Sequence, residues 1–135
     1  MPLIRSVADT VTRRMPRIIP VEKHIAGDMV VGGAFLGAAI MLRKNHPRTA
    51  SAAALLGAVT VGAAFLTDYS GESPKPISLQ MHRNIDLGLA SIAASIPSAL
   101  PPDGGCQSGL FLAGAVALTA LANLTAFPRA RRNYR

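Results

Sequence analysis

Apolar residues along this chain do not alternate with polar ones. They gather into four blocks, at about 25–42, 50–67, 85–100 and 109–127, parted by short polar breaks. Two stretches carry no charge at all, one from 49 to 67 and one from 106 to 128. A helix needs about 20 apolar residues to cross the hydrocarbon core of a bilayer. A helix that is apolar all round belongs in lipid or deep inside a large core. A chain of 135 residues offers no core large enough for four of them. The pattern therefore predicts an all-α, polytopic membrane protein with four transmembrane helices. Asn45-His46-Pro47 reads as a tight turn between the first two. Asp68 to Pro76 reads as a longer connection, and Pro101-Pro102 as the stop of the third helix. Cys106 is expected in the loop that follows. Ahead of the first block, Ile4, Val7, Val11, Met15 and Ile18 recur at three- and four-residue spacing. Arg13, Arg14 and Arg17 fall off that stripe. This predicts an amphipathic helix over 3–18, lying in the headgroup layer with its arginines toward anionic lipid.

The blocks are not independent. Ile19-Pro20-Val21-Glu22-Lys23-His24 with Asp28 is answered further along by Ile77-Ser78-Leu79-Gln80-Met81-His82 with Asp86. One constant offset carries Ile19 onto Ile77, His24 onto His82 and Asp28 onto Asp86. Leu55-Leu56-Gly57-Ala58-Val59 likewise rhymes with Leu112-Ala113-Gly114-Ala115-Val116. Self-similarity at such a spacing marks one supersecondary unit copied in tandem. The unit holds two spans, so both copies enter the membrane from the same side, as parallel repeats about an axis along the membrane normal. The expected organisation is an interfacial segment over 1–20, a first helical hairpin over 21–70, a second over 71–128, and a basic tail over 129–135. Small residues four apart allow close helix approach in lipid. The expected packing positions are Gly33 and Gly37, Ala58 and Gly62, and Ser91 and Ser95.

Charge refines the topology. The net charge is +7, yet charged residues make up only 16% of the chain. With the N-terminus inside, most of the Lys and Arg side chains fall on the cytoplasmic side. Arg43, Lys44 and Arg48 are the exceptions. The positive-inside rule then places both termini in the cytoplasm. A nucleic-acid role is rejected, because the cations flank apolar spans and stacking aromatics are scarce. The single cysteine excludes an intrachain disulfide. No cleavable signal peptide is visible in the basic segment 1–20.

The candidate chemistry sits at the start of each repeat. His24 with Asp28, and His82 with Asp86, stand at i and i+4 on one helical face. A carboxylate can orient an imidazole through one nitrogen and leave the other free. Two such pairs meeting at the repeat axis would form a set able to bind Zn²⁺ or a similar divalent ion, or to relay protons. The plainer reading is structural. An Asp in a first helical turn complements the helix dipole, and a His beside it can cap the helix. No nucleophile constellation or phosphate loop accompanies them, so no enzymatic activity is expected. Asp68 or Tyr69 could approach His82 from the loop, although an interfacial anchor and a helix stop are the simpler explanations.

Leu66-Thr67-Asp68-Tyr69, then Pro76 through His82 with Asp86 and Gly88, resembles small bacterial membrane proteins of the SPW-repeat type. Ser95-Ile96-Pro97 stands where that family carries Ser-Pro-Trp. The resemblance implies tandem two-helix units in the bacterial inner membrane, with no assigned activity. The sequence thus leads to a non-enzymatic integral membrane protein: a self-associating bundle or an accessory subunit of a membrane complex. Its partners would be the lipid bilayer and a second membrane protein or copy. The alternative is a metal-, haem- or proton-binding protein built on the four His and Asp residues. No cofactor is named by the sequence.

Overall fold

The computed structural model describes residues 16–100 and 105–126, and among these the fold is all-helical. Helix α1 covers Val21–Leu42 and α2 covers Pro47–Leu66. Two-residue strands β1 (Thr67–Asp68) and β2 (Ile77–Ser78) precede α3 (Leu79–Ala99) and α4 (Gly105–Leu124). Each boundary has a local cause. Pro20, extended at φ −63° and ψ 154°, leads into α1. Pro47 occupies the first turn of α2, where its missing N–H has no partner to lose. Ser78 caps α3, its hydroxyl accepting from the Met81 backbone N–H at 3.3 Å. The carbonyl of Leu124, last in α4, accepts from Ile19 N–H at 3.0 Å, and Ala126 N–H returns to the Ile19 carbonyl at 3.0 Å. These bonds satisfy groups that a helix end leaves open.

Three of the four helices are long and apolar enough to cross a membrane: α1, α2 and the segment Gln107–Leu124 of α4. Most of their surface faces outward, including Val30, Ile40, Met41, Leu55, Phe65, Leu112 and Val116. Helix α3 is comparably long but falls short in hydropathy, because its opening turns hold Gln80, His82, Arg83, Asn84 and Asp86. Helix α4 begins at Gly105, so Cys106 belongs to its first turn rather than to a loop. Of the segment expected as an interfacial helix, 1–15, with Arg13 and Arg14, lies outside the described residues. Residues 16–18 are not helical, and Arg17 is exposed there.

Each hairpin packs α1 on α2 and α3 on α4, and the hairpins meet through α1 with α4 and α2 with α3. The core is Phe35, Leu56, Leu89, Phe111 and Leu118, with Ala53, Ala90, Ala93 and Ala115 between them. Phe35 and Phe111 rings lie 5.8 Å apart. Close backbone approach falls at Gly32 and Gly57. A Cβ on Gly57 would stand 2.7 Å from the Gly32 carbonyl oxygen, so neither position has room for a side chain.

The positions expected to pack are turned away from these contacts. Around Gly33, Gly37 and Gly62 an added Cβ would meet nothing within 4 Å, and Ala58, Ser91 and Ser95 are exposed. The buried stripe of α1 is His24, Asp28, Gly32, Phe35 and Ala39. It sets the helix's rotation, and Gly33 and Gly37 fall on the far side, about 140° and 180° from the centre of that stripe.

Two short bridges join the hairpins. Thr67 pairs with Ile77, in parallel, next to the connection between the hairpins. Ile19, ahead of α1, pairs with Thr125, behind α4, also in parallel. The repeat offset that carries Ile19 onto Ile77 also carries Thr67 onto Thr125, so the two bridges exchange partners between halves.

Candidate functional site

The site lies at the end of the bundle where α1 and α3 begin and α2 and α4 finish. His24 and Asp28 come from α1, and His82 and Asp86 from α3. All four are 0% exposed. The imidazoles meet edge to face, with ring centroids 5.2 Å apart. The structure thus brings all four sequence-selected residues into one cluster.

Four donor atoms close a ring of alternating nitrogen and oxygen. His24 Nε2 lies 3.3 Å from Asp28 Oδ2 and 3.2 Å from Asp86 Oδ2. His82 Nε2 lies 2.9 Å from Asp28 Oδ2 and 3.4 Å from Asp86 Oδ2. One ligating atom from each residue lies within 4.8 Å of the other three. Donors about 2.0–2.1 Å from a shared ion sit roughly 2.9 Å apart in a square and about 3.3 Å apart in a tetrahedron. The four edges fall close to that range.

Burial makes the cluster costly without compensation. Only one carboxylate is well paired: His82 Nε2 and Asp28 Oδ2 are hydrogen-bonded at 2.9 Å. Asp28 Oδ1 and both oxygens of Asp86 are buried without a hydrogen bond. A cation seated among them would satisfy carboxylate oxygens left this way deep in a bundle. Two carboxylates and two neutral imidazoles would balance one divalent ion.

Two residues at the site were not among those expected to form it. Thr125 Oγ1 lies 2.8 Å from His24 Nδ1, and Thr67 Oγ1 lies 2.8 Å from His82 Nδ1. Both threonines are buried, at 1% and 0% exposure. Their signal was present as the pairs Leu66-Thr67 and Leu124-Thr125, separated by the same offset as the two histidines. Each threonine follows the last residue of a hairpin's second helix. That position delivers it to the opposite hairpin's histidine.

The loop residues divide. The Tyr69 ring packs edge-on against His82, with centroids 5.6 Å apart. Burial, joined by the negative charge of Asp28, pushes its phenol above the ordinary value. Asp68 turns away and organises its own loop, accepting from Ser70 and Gly71 N–H at 3.1 and 2.9 Å and from Ser73 N–H at 3.2 Å. Desolvation works against its ionisation. The Ser70 hydroxyl and these backbone donors outweigh it and hold the carboxyl below the usual range. Gly71 supplies the positive φ, 75°, that this turn requires. Arg83, next to His82, bonds the Ala122 carbonyl and Asn123 Oδ1, both at 2.9 Å. It therefore ties the start of α3 to the end of α4, where a cation suits the helix dipole. No family model, curated protein or solved structure matches this chain.

Proposed function

We propose that this chain is a non-enzymatic integral membrane protein that holds one divalent transition-metal ion between its two helical hairpins. The observation that carries this reading is the buried ring of His24, Asp28, His82 and Asp86, with donor spacings of 2.9–3.4 Å. Two nitrogens and two carboxylate oxygens suit Zn²⁺ and its first-row neighbours better than Mg²⁺ or Ca²⁺, which favour all-oxygen shells. Four protein donors fill a tetrahedral shell, as in structural rather than catalytic zinc sites. The ion would staple α1 to α3 and so lock the hairpins together.

The reading includes a tandem duplication of the hairpin, with both copies entering from the cytoplasmic face of a bacterial inner membrane. Matched contacts support it: two parallel bridges and two Thr–His contacts, each related to its counterpart by the repeat offset. The skew of Lys and Arg supports the orientation. The test is metal analysis of the detergent-purified full chain, prepared without chelator and then titrated with Zn²⁺. One ion per chain is expected, and none in His82→Ala. Folded wild-type protein that takes up no ion, or His82→Ala that binds equally well, would reject the site.

A second reading rests on the open space around Gly33 and Gly37. That face of α1 suits close approach by another helix, from a second copy or an accessory partner. Cross-linking in native membranes tests it. A chain that stays monomeric there, with Gly33→Leu making no difference, counts against it.

A further inference from the structure

We infer that Thr67 and Thr125 are the positioning residues of this metal site: each fixes which nitrogen of its histidine faces the ion. The inference rests on the metal reading above and concerns where hydrogens must lie. His24 Nδ1 is 2.8 Å from Thr125 Oγ1 and 3.2 Å from the Leu121 carbonyl oxygen. A carbonyl oxygen only accepts, so Nδ1 carries the hydrogen. Thr125 donates its own hydrogen to that same carbonyl at 2.6 Å. Toward the imidazole, its oxygen is therefore an acceptor.

The second half is built alike. The Thr67 hydroxyl donates to the Ala63 carbonyl at 2.6 Å. Its oxygen, 2.8 Å from His82 Nδ1, is left to accept from the ring. With hydrogen on Nδ1, a neutral imidazole carries its lone pair on Nε2. Nε2 is the atom each histidine turns toward Asp28 and Asp86. A proton that Nε2 shares with a carboxylate leaves when an ion binds there. Backbone bridges from Thr67 to Ile77 and from Thr125 to Ile19 hold both threonines at their stations. Each hairpin thus orients the ligand contributed by the other.

Losing such an orienting partner costs about 10- to 100-fold in metal affinity. The experiment is Co²⁺ titration of the full chain in detergent, followed by ligand-field absorption. The variants are Thr67→Val, Thr125→Val and Thr67→Ser. Thr60→Val is the control, because Thr60 is equally buried and donates to the Leu56 carbonyl at 2.8 Å without touching a histidine. Both valine variants at the histidines should bind about 10- to 100-fold more weakly, with altered Co²⁺ spectra. Thr67→Ser and Thr60→Val should stay near wild type. Nitrogen-15 spectra of the Zn²⁺-loaded wild type should show ligation through Nε2 with hydrogen on Nδ1. Wild-type affinity in both valine variants overturns this inference and leaves the metal reading standing, as does equal weakening in Thr60→Val. Ligation through Nδ1 overturns it whether or not the valine variants fold. Wild-type protein that takes up no Co²⁺ overturns the metal reading, and this inference with it.

Discussion

Asp28 and Asp86 occupy matching positions, yet their surroundings differ. Asp28 accepts a hydrogen bond from His82, whereas Asp86 accepts none. Removing a well-paired buried partner is costly; removing a poorly paired charge costs little or stabilises. Asp86→Asn should therefore abolish ion uptake while leaving the chelated protein more stable than Asp28→Asn does. Thermal unfolding of both variants in detergent checks this, and the reverse order would contradict it. These carboxylates and their histidines were legible in the sequence because His and Asp at i and i+4 are rare in apolar helices. The threonines escaped notice because Thr at a helix end is commonplace. Their role depends on a contact across the two halves, which spacing within one half does not encode.

At the scale of elements, helix existence followed from apolar run length, while helix rotation did not. The glycine pair four apart suggested a packing face on α1, but the buried His24–Asp28 stripe sets that helix's orientation. Close contact passes to Gly32 and Gly57 instead. Gly57→Ala should destabilise the bundle by about 1–3 kcal/mol through overpacking. Gly37→Ala should leave stability unchanged, since its Cβ meets nothing. Denaturation of the two variants in matched detergent separates the faces. The connection between the hairpins carries its own prediction. The carboxyl of Asp68 is held below its ordinary value in the folded protein. Its contribution is thus complete above the ordinary carboxylate range and is lost as pH falls through the depressed folded value. Amide exchange at Ser70, Gly71 and Ser73 should quicken over that acidic window, relative to the rate expected from pH alone. In Asp68→Asn the acid-induced change should vanish.

For the whole molecule, the proposed ion binds only the assembled hairpins, so its effect on stability follows mass action. Free Zn²⁺ at a hundred times its dissociation constant should add about 2.7 kcal/mol. The gain should disappear in the Asp28→Asn, Asp86→Asn double variant. The proposed orientation is checked by fusing a compartment-sensitive reporter to either end: both reporters should give the cytoplasmic signal, and opposite signals would refute an even number of crossings. Three of the four described helices are long and apolar enough to cross a membrane. Helix α3 carries its polar residues where it enters the site, so the feature that builds the cluster also keeps its hydropathy below that of the other three helices.

The bridge between Ile19 and Thr125 brings the stretch leading into α1 against the stretch leaving α4. Between Ile19 and Thr125 the backbone thereby nearly closes on itself, and this junction matches the one between Thr67 and Ile77. A rearranged gene that joins the old ends and opens the chain near Pro76 should still yield the bundle, with its halves in swapped order.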